Sequence, residues 1–157
     1  DAMLATVDFM PTLLSLCGVD VPEQVQGTDL APAFRGETFA GPDSVYLQNL
    51  GVCWPDRAPG VGYWRAVRTR RYTYARWWNN WSGPWLFDRQ DDPLEMKDLA
   101  GMPEHAGLRD EMEKRLKKWM ADTGDPFETG KRGRDKGMLL LGQKFANSEQ
   151  WKGVPVA

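Results

Sequence analysis

Histidine is almost missing from this chain: His105 is its one example, and cysteine is represented only by Cys17 and Cys53. One imidazole and two thiols make neither a zinc site nor a disulfide framework. No apolar run approaches the roughly 20 residues of a membrane-spanning helix, so the sequence predicts no membrane span. Charge of one sign is lacking as well. The 20 Lys and Arg face 22 Asp and Glu, a net charge of -2, which leaves no general pull toward nucleic acid or an anionic membrane. No signal peptide opens the chain. The start Asp1-Ala2-Met3-Leu4 does not read as natural, so the chain is expected to be a fragment and its compartment stays open.

What is present is the composition of a folded protein. A hydrophobic fraction of 41%, a charged fraction of 27% and a length of 157 residues suit one ordinary domain with its own core. Val7, Met10, Leu13, Leu14 and Cys17 recur at spacings of three and four, which predicts a helix with one apolar stripe and a buried Cys17 thiol. Asp8 is expected to cap it, Pro11 sits in its first turn, and Gly18 supplies the left-handed stop. Residues 19–43 are rich in Pro and Gly and read as a connection with a short helix near Leu30 to Phe34.

Strand signals fill residues 44–88. Ser44 to Gln48 is β-prone. In Tyr63 to Thr69, Arg65 and Val67 share one face while Trp64, Ala66 and Arg68 share the other. Tyr72 to Trp77 alternates similarly, and Trp85 to Phe87 is a third aromatic run. Short connections predict antiparallel neighbours. Residues 103–122 are the clearest helix, with Leu108, Met112, Leu116, Trp119 and Met120 on one side and favourable Glu/Asp to Lys/Arg pairs four apart on the other. From Glu128 onward a basic, glycine-punctuated tail is expected to extend over another surface. The expected fold class is α+β: a small antiparallel sheet with a packed C-terminal helix.

Three segments, in order, resemble the C-terminal third of the sulfatase family. Val7-Asp8-Phe9-Met10-Pro11-Thr12-Leu13-Leu14 with Gly27-Thr28-Asp29-Leu30 is similar to its "vDl-PTll…G-sL" motif. Arg65 to Tyr74 resembles its "R-vRt-ryky" hairpin, and Leu86 to Ala100 its "LyDl-kDP-E--NLa" segment. The resemblance implies a type I, arylsulfatase-like parent of the alkaline phosphatase superfamily. In that parent the C-terminal subdomain follows a large α/β domain, and sulfate esters are hydrolysed with a formylglycine nucleophile and calcium. Those catalytic residues lie upstream in the family, so no cofactor is expected in this chain. Residues 1–43 would close the main α/β domain, 44–127 would form the C-terminal subdomain and 128–157 the tail. A periplasmic or secreted location is also implied.

Sulfate-ester cleavage needs a strong nucleophile, cations for the sulfate oxygens and an acid for the leaving oxygen. The chain offers no set of that kind. Cys53-Trp54-Pro55-Asp56-Arg57 fits the Cys-x-Pro-x-Arg pattern converted to formylglycine in sulfatases, but Ala58-Pro59-Gly60-Val61-Gly62 resists the helix that should follow a nucleophile. The same loop is a candidate pocket wall: Trp54 for stacking on a sugar or aryl ring, Arg57 for a carboxylate or second sulfate. Trp64 and Arg68 extend such a wall, the alternative being that Trp64 covers the 103–122 helix and Arg68 is a solvated edge residue. Four tryptophans from Trp77 to Trp85 form a carbohydrate ledge, a domain interface or a pinned hairpin. The expected partners are a sulfated small molecule or carbohydrate and the parent's N-terminal catalytic domain, with self-association through the apolar stripe. The alternatives are a phosphoester or phosphonate hydrolase of the same superfamily and a stand-alone carbohydrate-binding module.

Overall fold

The computed structural model of the chain describes residues 2–49, 64–77, 83–125 and 127. Strands β1 (Ser44–Asn49), β2 (Trp64–Thr69), β3 (Tyr72–Trp77) and β4 (Trp85–Asp88) form an antiparallel meander in chain order. The register runs Tyr46 to Val67, Val67 to Tyr74 and Tyr74 to Leu86, so these four make one cross-strand row on a single face. Side chains alternate along each strand, so Ala66 and Ala75 are sent to the opposite face.

Helix α3 (Ala106–Asp122) lies over the first face, entered through a 3-10 turn at Pro103–His105. Met112, Leu116 and Met120 stand four residues apart, are at most 2% exposed, and close over Val67, Tyr74 and Leu86. Leu108 and Trp119 flank them as the periodicity predicts. The outer edge of β4 is covered too. Its Leu86 N–H donates to Asp98 Oδ1 at 2.9 Å, and its Leu86 carbonyl accepts from Leu99 N–H at 2.8 Å. Asp98 therefore ties down the loop that feeds α3, as expected, and removes an unpaired strand edge. The predicted α+β class is the one observed.

A charge lies among the apolar residues of the α3 face. Arg65 is 5% exposed, and its guanidinium forks onto Asp125 just past the helix end, at 2.8 Å through Nε and 3.2 Å through Nη2. Asp125 also accepts from the Tyr46 hydroxyl at 3.0 Å and the Phe127 N–H at 2.8 Å. Arg65 Nη1 donates to the carbonyls of Asn49 and Trp64, each at 3.0 Å. Every strong donor and acceptor of the pair is thus satisfied, the condition under which a buried ion pair is tolerable. From its place just past a helix end Asp125 reads as a cap, but its main task is to hold Arg65.

The N-terminal segment is organised by its own clamp. Helix α1 (Phe9–Leu16) follows a 3-10 turn at Thr6–Asp8, and α2 (Ala31–Phe34) lies beside it. Asp8 does not cap α1. Its Oδ2 accepts from Ala5 N–H and its Oδ1 from Thr28 N–H, each at 2.8 Å, so it ties the 27–30 loop to the helix start. Thr12 is 3% exposed and its hydroxyl accepts from Leu30 N–H at 3.0 Å. Gly27 is obligatory there: its φ is 103°, and a Cβ would sit 2.3 Å from the Val7 carbonyl oxygen. The Asp-Pro-Thr and Gly-x-x-Leu portions of the first motif are therefore two halves of one contact.

Cys17 is exposed, contrary to the expectation of a buried thiol. The reason is that the stripe on which it lies is uncovered by the described residues. Val7, Met10 and Leu13 are 48%, 59% and 57% exposed, and Phe9 and Phe34 stand out at 50% and 65%.

Burial opposes ionisation of Asp125, but the Arg65 fork and the Phe127 N–H outweigh it and hold the carboxyl below its ordinary 3.8. A depressed folded-state value means that the contribution is complete above the unfolded value and is lost as pH falls through the folded one. Thermal melts should therefore show an acid loss of stability below about pH 4 that is shallower in Asp125→Asn. At neutral pH that variant should lose about 3 kcal/mol in urea titrations, because it strands a buried guanidinium.

Candidate functional site

The face of the sheet opposite α3 carries the candidate site, and register decides what stands on it. Asn49 pairs with Trp64, Trp64 with Trp77, and Ala75 with Trp85, so all four strand ends that border residues 50–63 and 78–82 meet at one end of the sheet. Trp64, Trp77 and Trp85 share the open face there. Trp77 and Trp85 meet edge to face with centroids 4.9 Å apart, and Trp85 meets Phe87 likewise at 6.2 Å. Ala66 and Ala75, 2% and 9% exposed, follow in the middle of the face, buried between larger neighbours.

The far end of the same face is charged. Glu95 Oε1 accepts from the Thr73 hydroxyl at 2.7 Å and from Arg68 Nη2 at 3.2 Å, and lies 3.5 Å from Arg89 Nε. Glu95 has a φ of 55°, the one non-glycine residue with positive φ among the described residues. A left-handed glutamate is strained, and the bonds to Thr73 and Arg68 hold it there.

Of the four sequence-predicted contact residues, Trp54 and Arg57 lie outside the described residues, as do Cys53, Trp78 and Trp81. The structure places Trp64 and Arg68 on one face, as alternation predicts, but at opposite ends. Four residues separate them, roughly 13 Å at about 3.3 Å per residue. The alternative roles fail. Trp64 cannot cover α3, which packs on the other face with Val67. Arg68 is on an inner strand and paired with Glu95 rather than being a solvated edge residue. The sequence alone singled out none of Glu95, Thr73 and Arg89. The signal available was the isolated Glu after the Asp-Pro turn.

The other arginines of the sheet are committed to carboxylates. Arg71 forks onto Asp88 at 2.9 and 2.7 Å, and Arg76 reaches Glu113 on α3 at 2.6 Å. With Arg65 on Asp125 and Arg68 on Glu95, these arginines are dispersed over both faces and each is paired with a carboxylate. A cavity of about 310 Å³ beneath the β2–β3 turn is lined by Arg71, Arg115, Asp43 and Glu111 among others. Its charges are likewise spent internally, Arg115 bonding Asp43 at 2.7 Å. Among the described residues no three Cys, His, Asp or Glu side chains converge, so these residues do not supply a calcium cage.

The comparisons with known proteins give the family and the fold. The family described as N-sulphoglucosamine sulphohydrolase, C-terminal, matches residues 1–122. The chain is 32% identical over 130 residues to an ulvan-active sulfatase of Formosa agariphila, covering 82% of this chain and 24% of that protein. Among solved structures it resembles a 2-O GAG sulfatase with a TM-score of 0.66 and 28% identity, over 79% of this chain and 26% of that one. A phosphonate monoester hydrolase of Agrobacterium radiobacter shares the fold, with a TM-score of 0.57 and 21% identity over 73% and 24% of the two chains. The chain spans about a quarter of the length of the curated relatives it matches, 24% and 25% in two cases.

The hydrogen bond from Thr73 to Glu95 is short and charge-assisted, so Thr73→Val, nearly the same shape, should cost about 1.5 kcal/mol in urea unfolding. A Thr69→Val control at the β2–β3 turn, whose hydroxyl bonds only the neutral N–H and carbonyl of Tyr72, should cost less.

Proposed function

Because the chain belongs to the C-terminal family of N-sulphoglucosamine sulphohydrolases, we propose that it is the substrate-side subdomain of a sulfatase that cleaves sulfate esters of a carbohydrate. The observation that carries this reading is the aromatic end of the open face. Trp64, Trp77 and Trp85 stand together where the strands give way to residues 50–63 and 78–82. Indole rings offer flat, rigid, amphipathic surface that suits the apolar face of a pyranose, with little conformational entropy to lose. Trp54 and Arg57 extend the same wall in this proposal.

The division of labour in this proposal is the one that the sulfatase resemblance implies. The nucleophile, the calcium ligands and the sulfate-binding cations belong to the part of the parent that precedes this chain, where formylglycine and calcium supply the cleavage chemistry. This chain's own residues bind and orient the rest of the substrate. Binding energy from groups remote from the reacting centre lowers KM, and where it is used to position the ester it raises kcat as well. Residues 1–43 close the main α/β domain, with the stripe of Val7, Met10 and Leu13 packed on it. The exposure of that stripe favours a subdomain over a stand-alone carbohydrate-binding module, which would hide its apolar surface.

In the full-length parent, Trp64→Ala should raise KM for a sulfated oligosaccharide about tenfold while leaving hydrolysis of a small aryl sulfate unchanged; tenfold corresponds to about 1.4 kcal/mol. An unchanged KM for the oligosaccharide would sink the substrate-side reading. The isolated chain, supplied with calcium and an aryl sulfate, should give no turnover above blank.

The uncovered stripe has its own consequence. Sedimentation of the isolated chain should show self-association, and Met10→Glu with Leu13→Glu should return it to a monomer. A monodisperse monomer with the native stripe would argue for the binding-module alternative.

A further inference from the structure

Beyond the aromatic end, the charged end of the open face has no role in the reading above, and its stoichiometry is incomplete. Arg68 and Arg89 share one carboxylate, that of Glu95. Arg68 Nε is buried without a hydrogen-bond partner among the described residues, and Arg89 Nε, also buried, comes no nearer to Glu95 Oε1 than 3.5 Å, a contact too poor to count as a hydrogen bond. A buried donor left unmet costs about 1–3 kcal/mol. Both side chains nonetheless stay about a third exposed, at 36% and 34%, so their outer edges remain within reach of an incoming group.

The same turn shows a second anomaly. Leu94 and Met96, on either side of Glu95, are each 81% exposed, more than any other large hydrophobic among the described residues. The turn is not loose: Asp92 Oδ2 accepts from Lys97 N–H at 2.7 Å, Glu95 N–H donates to the Asp92 carbonyl at 3.0 Å, and Glu95 is anchored to the sheet. A strained, doubly tied turn that holds two aliphatic side chains in solvent is organised to present them.

We propose that this turn and the Arg68–Arg89 pair form a docking surface for the part of the parent that precedes this chain, and that the pair receives a carboxylate from it. The inference rests on the reading of the chain as the C-terminal part of a larger sulfatase. The occupant is named by the surface. Two guanidiniums with one carboxylate leave an excess positive charge, which a bidentate acid matches. Leu94 and Met96 are flexible aliphatic side chains without the flat rings that stack on a pyranose, and they fit an apolar protein surface instead. A second copy docking through this same patch would bring like charge to like charge. The relatives, more than three times the length of this chain, have ample protein to supply the occupant.

Methionine oxidation by dilute hydrogen peroxide, read peptide by peptide by mass spectrometry, tests this without reference to turnover. In the isolated chain Met96 should oxidise at the rate of a free methionine, and in the full-length parent at least tenfold more slowly. Arg89→Glu in the parent should restore fast oxidation of Met96, and Leu94→Lys, at a position open to solvent here, should do the same. Equal Met96 rates in parent and isolated chain would overturn the proposal, as would full protection persisting in both variants. A parent that desulfates oligosaccharides while Met96 oxidises freely sinks the docking surface alone. A parent with Met96 protected but no sulfatase activity sinks the functional reading and leaves the surface standing.

Discussion

The fork of Arg65 onto Asp125 is the contact through which the sheet and the helix become one body. Two charges removed from water are expensive, and their attraction offsets that cost only where the remaining donors and acceptors are met. Here they are met by a tyrosine hydroxyl, two strand carbonyls and the Phe127 amide. The Arg65 guanidinium also lies 5.0 Å over the Phe127 ring, which joins the residues after α3 to the same core. A hydrophobic contact would tolerate sliding of α3 along the sheet, whereas a bidentate pair between Arg65 and Asp125 sets where the helix must end.

From that constraint the rest of the face assignment follows. With Arg65 and Val67 committed to α3, alternation on β2 sends Trp64, Ala66 and Arg68 outward, and the register carries Trp77, Ala75 and Thr73 with them. The open face is thereby sorted into an aromatic end, a middle of small buried residues and a cationic end. Candidate site residues and scaffold residues are neighbours in sequence throughout. Trp64 adjoins Arg65, and Glu95 lies between Leu94 and Met96.

The N-terminal segment obeys a separate logic. Asp8, Thr12 and Gly27 make a small polar clamp that is complete without the sheet, while the apolar residues around it face outward. This combination fits the proposed role of residues 1–43 as the edge of a larger core. Its internal polar bonds are satisfied, and its hydrophobic side chains are not yet covered.

Much of this was legible in the residues alone. The alternation of β2 and β3, the three-and-four spacing of α3, and Asp98 as an anchor are local consequences of backbone geometry, and each could be read from the order of residue types. The sulfatase resemblance was legible for the same reason, since its motifs are the turns and helix starts that such geometry requires. What the sequence could not assign was every role that depends on a partner far along the chain. Asp8 looked like a cap and proved to hold Thr28, twenty residues away. Asp125 looked like another cap and proved to hold Arg65, sixty residues away. Cys17 read as buried because periodicity states that a stripe is apolar without stating what covers it. Glu95 was not singled out because a positive φ and a bond to Thr73 exist only once the strands are side by side. Spacing determines which side chains share a face; only the packed structure decides what that face meets.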